Sequence, residues 1–244
     1  MREGGGGRRE ERREVGTAGG DGVGTWEFIA ADYEDWFETP LGAFVAAREL
    51  EALRRALPDG PPGRAVEIGA GTGFVARALH GWGWQVTAVE PSAAMRREGT
   101  RRTADAAIEW HDAAAESLPF ADGSFDLALF FTALEFVEDP ARALFEAMRV
   151  VKPGGHLLAG ILDARSPWTA LYRHLADHDT PPWNAARFYV PADVELLAGH
   201  PSETCESAVF LAPDGEPPYE EADAAGVRAG NHGSVAILRW RKTS

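Results

Sequence analysis

The stretch Val66-Glu67-Ile68-Gly69-Ala70-Gly71-Thr72-Gly73 decides the fold of this chain. A short apolar run ends there in three alternating glycines, and an apolar helical pattern follows from about Phe74 to His80. Because glycine has no Cβ atom, a ligand can lie against the backbone of such a turn. The stretch therefore predicts a buried strand, then a ligand-binding turn, then a helix.

Strand and helix patterns keep alternating after this turn, with helices predicted after about Pro91 and from Pro140. Two last apolar runs have no helical pattern between them and predict an antiparallel pair. The predicted strands after the first are residues 85–89, 108–110, 125–131, 156–162, 207–211 and 234–240. The sequence thus predicts an α/β fold, a doubly wound, mostly parallel seven-stranded sheet with an antiparallel C-terminal edge.

The chain before the glycine turn divides into two segments. Residues 1–25 hold nine of the 27 glycines and few aliphatic side chains, so burial cannot offset their ordering entropy and a disordered tail is predicted. Residues 26–244 are predicted to form a single domain. Within it, Thr39-Pro40 is typical of a helix N-cap followed by proline at the first helical position, and the helical pattern runs to Pro58.

Three aromatic residues precede this helix: Tyr33, Trp36 and Phe37. Two interpretations fit them. They form part of a helical lid, about residues 26–58, over a bound ligand, or they belong to a helix that packs on the core.

Composition and charge exclude several classes of function. The 244 residues include 24 Lys+Arg and 38 Asp+Glu, a net charge of -14, which disfavours a nucleic-acid partner. The single cysteine, Cys205, can form neither an internal disulfide nor a thiolate zinc site alone, and no metal is predicted. No stretch approaches the ~20 apolar residues of a membrane span, and no secretory signal is recognisable, so a cytoplasmic location is expected.

Two carboxylates lie beside the glycine turn in the predicted fold. Glu90 follows the second strand, where it can accept hydrogen bonds from both hydroxyls of a ribose. Glu67 lies within a buried strand, so it either anchors the turn or faces the cationic end of a ligand through water. The spacing Gly69-x-Gly71-x-Gly73 differs from the Gly-x-Gly-x-x-Gly of nicotinamide dinucleotide sites, which disfavours an oxidoreductase.

At this point the chain resembles the class I S-adenosylmethionine-dependent methyltransferases, in particular the small-molecule branch that includes ubiquinone and menaquinone biosynthesis enzymes. The resemblance runs from about Tyr33 to Leu197, and five motifs occur in family order. They are Val66-Glu67-Ile68-Gly69-Ala70-Gly71-Thr72-Gly73, Val89-Glu90-Pro91-Ser92, Ala115-Glu116-Ser117-Leu118-Pro119-Phe120, Asp122-Gly123-Ser124-Phe125-Asp126 and Arg149-Val150-Val151-Lys152-Pro153-Gly154-Gly155. The resemblance implies a Rossmann-like methyltransferase fold with S-adenosylmethionine as cofactor.

The same resemblance implies where that cofactor binds. The glycine turn would face the methionine part, Glu90 the ribose, Met95 one face of the adenine, and the Ala115 backbone amide its edge, with Thr132 beside the methionine end. The full set of cofactor-binding residues implied is Glu67, Gly69, Ala70, Gly71, Gly73, Glu90, Pro91, Met95, Ala115, Glu116 and Thr132.

One position departs from the family pattern. Many relatives carry Asp or Asn immediately before the Ala-Glu-x-Leu-Pro-Phe motif, where the side chain binds the adenine amino group; here that residue is Ala114. Either Asp112 reaches the adenine through a local irregularity, or the backbone alone holds the ring. We favour the backbone, because Asp112 stands two residues too early.

Methyl transfer depends mainly on alignment of donor and acceptor, so few catalytic side chains are required. The catalytic residues stay unassigned, with Glu135 as the best candidate for a general base because it follows strand four, where relatives carry a residue that faces the acceptor.

Residues 166–190 follow strand five, and their five large aromatic residues predict a cap over a small-molecule acceptor with a flat or apolar part. The methylated atom and the oligomeric state stay open. The alternative function is a cofactor-binding regulatory or interaction module that has lost catalysis.

Overall fold

The structure, a computed structural model, describes residues 22–243. Seven strands and eight α-helices alternate along most of that length. The strands are β1 (Arg64–Ile68), β2 (Gln85–Val89), β3 (Glu109–His111), β4 (Phe125–Phe131), β5 (Val151–Leu162), β6 (Thr204–Ala208) and β7 (Val235–Arg241). The helices are α1 (Gly22–Ile29), α2 (Pro40–Ala56), α3 (Phe74–Gly81), α4 (Ala93–Arg102), α5 (Pro140–Val150), α6 (Pro167–Asp177), α7 (Pro191–Ala198) and α8 (Tyr219–Ala229).

The strands form one sheet in the order β3-β2-β1-β4-β5-β7-β6. Strands β1 to β5 are parallel, whereas β7 pairs antiparallel with both β5 and β6. The predicted fold class is therefore confirmed. The strand order reverses between β1 and β4, and ligands of doubly wound sheets bind at the carboxyl ends of the strands at such a point.

Strand β4 shows why the sheet is buried on both faces. Its alternate residues enter different clusters, Ala128 and Phe130 on one face and Leu127 and Leu129 on the other. All four side chains are fully buried. A continuous apolar run is what a central parallel strand with helices on both faces requires.

Local capping explains where several helices begin. The Thr39 hydroxyl accepts a hydrogen bond from Gly42 N at 3.0 Å, and Pro40 occupies the first turn of α2. Ser92 and Asp139 accept from Met95 N and Arg142 N at the starts of α4 and α5. Each cap satisfies one amide that the helix itself leaves without a partner.

The C-terminal region differs from the prediction in two elements. Strand β6 spans Thr204–Ala208, so only its last two residues fall within the predicted strand 207–211. Helix α8 lies between β6 and β7, where the sequence showed no helical pattern. Only Gly226 of α8 is fully buried, and the first turn carries Glu220 and Glu221. An exposed helix has little apolar periodicity, which is why the pattern missed it.

At the other end, residues 1–21 of the predicted tail lie outside the described residues. Helix α1 begins at Gly22, within the last four residues of the predicted tail. In the next part of the chain, the carboxylate of Glu27 accepts from the Ser92 hydroxyl at 3.0 Å and from Ala94 N at 2.9 Å, which fixes α1 to the start of α4. Within residues 22–243, no helix has the length and hydropathy needed to cross a membrane.

Candidate active site

A cavity of about 680 Å³ opens at the carboxyl ends of β1, β2, β3 and β4. Its walls come from the loops after these strands, from the segment before α2, from α2 itself and from the loop after α6. The lining residues are Trp26, Tyr33, Phe37, Glu49, Glu67, Gly69–Thr72, Phe74, Val75, Glu90, Pro91, Met95, Ala113–Glu116, Phe131–Ala133, Phe136–Glu138, Ala185 and Arg187. The cavity therefore occupies the place where this fold binds ligands.

The glycine turn presents bare backbone to this cavity. Gly69 and Gly71 have φ values of +74° and +53°, a region that favours glycine. Gly69 N and Ala70 N donate to Val89 O at 2.8 and 3.0 Å, which ties the turn to the end of β2. A Cβ atom at Gly71 would meet no protein atom within 4 Å, so open space adjoins the turn.

Glu90 is held in place by the same turn. Its two carboxylate oxygens accept from Gly71 N at 2.9 Å and from Ser92 N at 2.8 Å. Burial raises the pKa of Glu90, and these two amides oppose that shift. Each oxygen keeps a further lone pair, so the carboxylate can accept hydroxyl groups from a ligand in the cavity.

Glu67 lines the cavity without a complete set of partners. The residue is 3% exposed, and its Oε2 atom has no hydrogen-bond partner within residues 22–243. Burial, together with the charge of Glu90, raises the pKa of Glu67 well above its usual range. A buried acceptor without a donor is costly, and a donor group on a bound ligand would complete it.

The loop after β3 forms the opposite wall. Residues 113–116 line the cavity, and Met95 is buried beside it. Asp112 instead pairs with Arg96 at 2.7 Å, and its side chain is 68% exposed. The loop thus presents backbone to the cavity while Asp112 faces away from it.

Thr132 lies at the far end of this wall, directly after β4. It has a φ of +49°, and its amide donates to Gly160 O at 2.8 Å. A β-branched residue in this conformation is strained, a condition that is most common at ligand sites.

Three residues predicted for the site do not line the cavity. Gly73 caps α3, and a Cβ atom there would lie 2.9 Å from the Trp110 ring, so its role is close packing. Trp36 contacts the ring of Phe37 but does not itself line the cavity.

Glu135 is fully buried and accepts from Leu162 N at 2.6 Å. Burial raises the pKa of Glu135 to about 7, but the side chain holds the end of β5 rather than facing an acceptor space.

The segment before α2 reaches the cavity through Trp26, Tyr33 and Phe37. Buried Glu34 fastens this segment, because its carboxylate accepts from the Thr72 hydroxyl at 2.5 Å and from Arg77 at 2.7 Å. A third contact, from Arg102 at 3.1 Å, extends the network to α4. Four elements of the site are thus joined at one carboxylate.

The segment 166–190 contributes differently from the prediction. Only Ala185 and Arg187 of this segment line the cavity, while its aromatic side chains pack against one another. Tyr172 and Trp183 stack with ring centroids 3.8 Å apart, and Trp168 donates from its indole nitrogen to Leu211 O. The rings of Trp168, Tyr172 and Trp183 therefore do not line the cavity.

Sequence reasoning missed several lining residues, of which Glu49 is the most informative. Glu49 stands four residues after Val45 and four before Leu53, both of which are buried core residues of α2. A carboxylate on the apolar face of a helix is the signal that could have found it. Phe136 and Arg187 gave no comparable signal, because each lies in an irregular segment.

Three kinds of comparison with known proteins agree on one family. A family profile described as a methyltransferase domain matches residues 66–159. A demethylmenaquinone methyltransferase of Clavibacter sepedonicus is 32% identical over 199 residues, 78% of each chain. A crystal structure from Thermotoga maritima, described as a SAM-dependent methyltransferase and possible histamine N-methyltransferase, is 30% identical with a TM-score of 0.72, covering 90% of this chain and 99% of that one.

An uncharacterised protein of Methanocaldococcus jannaschii is 36% identical over 144 residues, 59% of this chain. The alignment spans 64% of that relative, less than two thirds of its length. The residues matched by the family profile include the glycine turn and the end of β2, which form walls of the cavity described above.

Proposed function

We propose a small-molecule acceptor for this chain, which belongs to the class I S-adenosylmethionine-dependent methyltransferases of the quinone-biosynthesis-like branch. When bound, S-adenosylmethionine supplies a methyl group on a sulfonium, whose sulfur departs with the electron pair of the broken bond. The observation that carries the proposal is a cavity that extends beyond the proposed cofactor-binding walls to aromatic and acidic lining residues.

The residues present fit this cofactor. The bare turn at Gly71 leaves space for a ligand against its backbone, and the Oε2 atom of Glu67 lacks a donor that a cofactor ammonium would supply. Glu90 has lone pairs for ribose hydroxyls, and the loop of residues 113–116 offers backbone for adenine beside Met95. We call the walls formed by residues 69–72, 90–95 and 113–116 the donor side.

The other walls form the acceptor side, which we define by the lining residues Tyr33, Phe37, Glu49, Phe136 and Arg187. In the proposed function, the segment from residue 26 to 58 acts as a lid and the segment from 166 to 190 backs the acceptor space. Thr132, between the two sides, would stand where the methyl group passes. These residues contribute by positioning and by exclusion of water, which suits an already activated methyl group.

Three observations support a small molecule as acceptor. The cavity volume falls in the usual range for small-ligand sites. The names of the two relatives above refer to a quinone precursor and to histamine, both of which are small molecules. The net charge of -14 would repel a nucleic acid.

Binding and turnover test the proposal in two steps. Calorimetry with S-adenosylhomocysteine and with NAD should show binding of the first and none of the second. A library of small acceptors, incubated with cofactor labelled in the methyl group, should then contain at least one methylated member. Tight NAD binding would overturn the assignment of the donor side, and cofactor binding with no methylated acceptor would favour the inactive module.

A further inference from the structure

The acceptor side carries a carboxylate that the proposed cofactor chemistry does not use. Glu49 projects from the middle of α2 into the cavity, and its carboxylate makes no hydrogen bond or ion pair within residues 22–243. Burial raises the pKa of Glu49 to about 8. The Glu49 side chain is only partly exposed, and it lines the cavity, so its carboxylate is accessible to a ligand there. A ligand with a positive charge would favour the ionised form of this carboxyl and gain affinity from it.

Topology separates Glu49 from the cofactor-binding residues. Helix α2 packs against β6 and β7, with Arg55 bound to Glu206 and Arg239 bound to the carbonyl of Ala56. Glu90 follows β2, on the other side of β1 and β4 in the sheet. Glu49 therefore enters the cavity from the side opposite the ribose and adenine positions.

Aromatic rings surround this side of the cavity in a closed series of contacts, which we call the aromatic circuit. Neighbouring ring centroids along it are 3.8 to 6.5 Å apart. In order, its members are Trp26, Tyr33, Phe37, Trp36, Trp168, Tyr172, Trp183 and Phe136. It joins the segment before α2 to the loop after β4 and to α6 and the loop after it.

Glu49 lies close to two members of the circuit. Its negative charge contributes to the raised pKa of both Tyr33 and Tyr172, which come from opposite segments. Trp26, Tyr33, Phe37 and Phe136 line the cavity directly. A carboxylate beside several aromatic faces is the chemistry that binds an organic cation, through an ion pair and through cation–π contacts.

The charge balance of the cavity favours the same class of ligand. Five glutamates and one arginine line it: Glu49, Glu67, Glu90, Glu116, Glu138 and Arg187. Arg187 donates to the Glu138 carbonyl at 2.9 Å, so it does not neutralise Glu49. The cofactor carries a net charge of about +1, which leaves the cavity acidic after it binds.

We propose that the acceptor is a cationic amine, recognised by the Glu49 carboxylate and the aromatic circuit. This inference rests on the proposed function, since it names the acceptor class for the same site. An ammonium has no lone pair, so it first gives a proton to Glu49. The nitrogen pair then forms the N–C bond while the sulfur keeps the pair of the broken S–C bond, and the proton passes from Glu49 to water.

The raised pKa of Glu49 suits that proton transfer, because a group that titrates near neutrality can both accept and release a proton. The titratable groups near Glu49 are Tyr33 from the lid and Tyr172 from α6, whose pKa values its charge helps to raise. Glu67 and Glu90, at the ends of β1 and β2, line the same cavity. None of them carries a positive charge, so a cationic ligand is the group that would lower the pKa of Glu49.

A matched pair of probes tests the inference. 2-Phenylethylamine and 2-phenylethanol have nearly the same size, but only the amine is charged at neutral pH. On protein saturated with S-adenosylhomocysteine, calorimetry should show that the amine binds and the alcohol does not. In parallel, a set of alkyl, aryl-alkyl and heteroaryl amines should yield methylated products from labelled cofactor.

Variants of α2 assign the effect to Glu49. E49Q should weaken binding of 2-phenylethylamine by about 10- to 100-fold, the loss of one charge-assisted contact, and should leave the affinity for S-adenosylhomocysteine within about twofold. E49D keeps the charge and should retain part of the amine affinity. E51Q is the control, because Glu51 is exposed on the same helix and pairs with Arg48. Thermal unfolding checks that each variant folds.

The outcomes separate the two proposals. Failure of the unchanged chain to bind S-adenosylhomocysteine would overturn the proposed function itself. Normal binding of that compound with equal affinity for amine and alcohol, or with no amine methylated, would overturn only the amine acceptor. An equal loss of S-adenosylhomocysteine affinity in E49Q would move Glu49 to the donor side and would also overturn it.

Discussion

The donor side and the acceptor side of the cavity satisfy their carboxylates in different ways. On the donor side, Glu90 accepts from two backbone amides at 2.9 and 2.8 Å, both within the loops that follow β1 and β2. On the acceptor side, Glu49 has no partner within the described residues, and burial raises its pKa to about 8. Glu90 is thus oriented by backbone hydrogen bonds, whereas Glu49 is left available to a ligand in the cavity.

This difference reflects how the two sides are built. The donor side uses backbone groups that a strand and its own turn place locally, such as Gly71 N and Ser92 N. The acceptor side uses side chains from segments far apart in sequence, such as Tyr33, Phe136 and Arg187, which can vary without disturbing the turn. In the proposed function, local geometry would hold the cofactor, and packing between distant segments would shape the acceptor space.

The largest expected effect concerns the network that joins the two sides. Glu34→Ala removes the acceptor of Thr72, Arg77 and Arg102. Among the described residues, the partly buried Arg77 then has no carboxylate partner, and Arg102 keeps only Glu98. We expect the free energy of unfolding to fall by about 2–4 kcal/mol. Chemical denaturation measures it, with Glu38→Ala as an exposed control from the same segment. A change below about 0.5 kcal/mol would show that the lid is not held there.

Glu90→Ala should have the next largest effect, on binding to the donor side. If the carboxylate accepts two ribose hydroxyls, S-adenosylhomocysteine should bind about 1.5–3 kcal/mol more weakly. Calorimetry on the folded variant measures the loss, and Glu109→Ala, on the exposed face of β3, serves as control. An unchanged dissociation constant would place the ribose elsewhere.

The free energy of unfolding should depend on pH through Glu135, a buried carboxyl with no positively charged partner among the described residues. Burial raises the pKa of Glu135 to about 7 from an unfolded value near 4.5. The folded protein then keeps a proton that the unfolded chain releases, so this contribution to stability is complete below about pH 4.5 and is lost as the pH rises to about 7. Relative to Glu135→Gln, the native chain should lose stability across that window, by up to about 3 kcal/mol.

Denaturant titrations of both proteins at several pH values between about 4 and 8 measure this difference. A difference that stays constant with pH would mean that Glu135 titrates normally. Glu49 and Glu67 also have raised pKa values, so the comparison with Glu135→Gln, rather than the native curve alone, isolates the effect.

The smallest effect is expected at Asp112. Its side chain is 68% exposed and pairs with Arg96 rather than facing the cavity. Asp112→Ala should therefore change the affinity for S-adenosylhomocysteine by less than about 0.5 kcal/mol. A loss as large as that of Glu90→Ala would show that adenine is held by this acid and not by the backbone of residues 113–116.

Local patterns predicted the sheet and the donor side because each feature is written in a few consecutive residues. The apolar run of β4, the cap at Thr39 and the position of Glu90 after β2 all follow from such patterns. Glu49 carries a local signal, a carboxylate on the apolar face of α2, but its place in the cavity depends on how α2 packs against β6 and β7. Helix α8 was not predicted because so little of it is buried that its sequence shows no apolar periodicity.

The aromatic circuit also gives this chain an optical property. The chain has eight tryptophans, and four of them belong to the circuit: Trp26, Trp36, Trp168 and Trp183. Trp84 and Trp240 are buried elsewhere and contribute a constant background. Indole emission changes in wavelength and intensity when the surroundings of the ring change, so a guest that contacts the circuit alters the intrinsic fluorescence. The molecule can therefore report its own occupancy to a spectrometer without any attached dye.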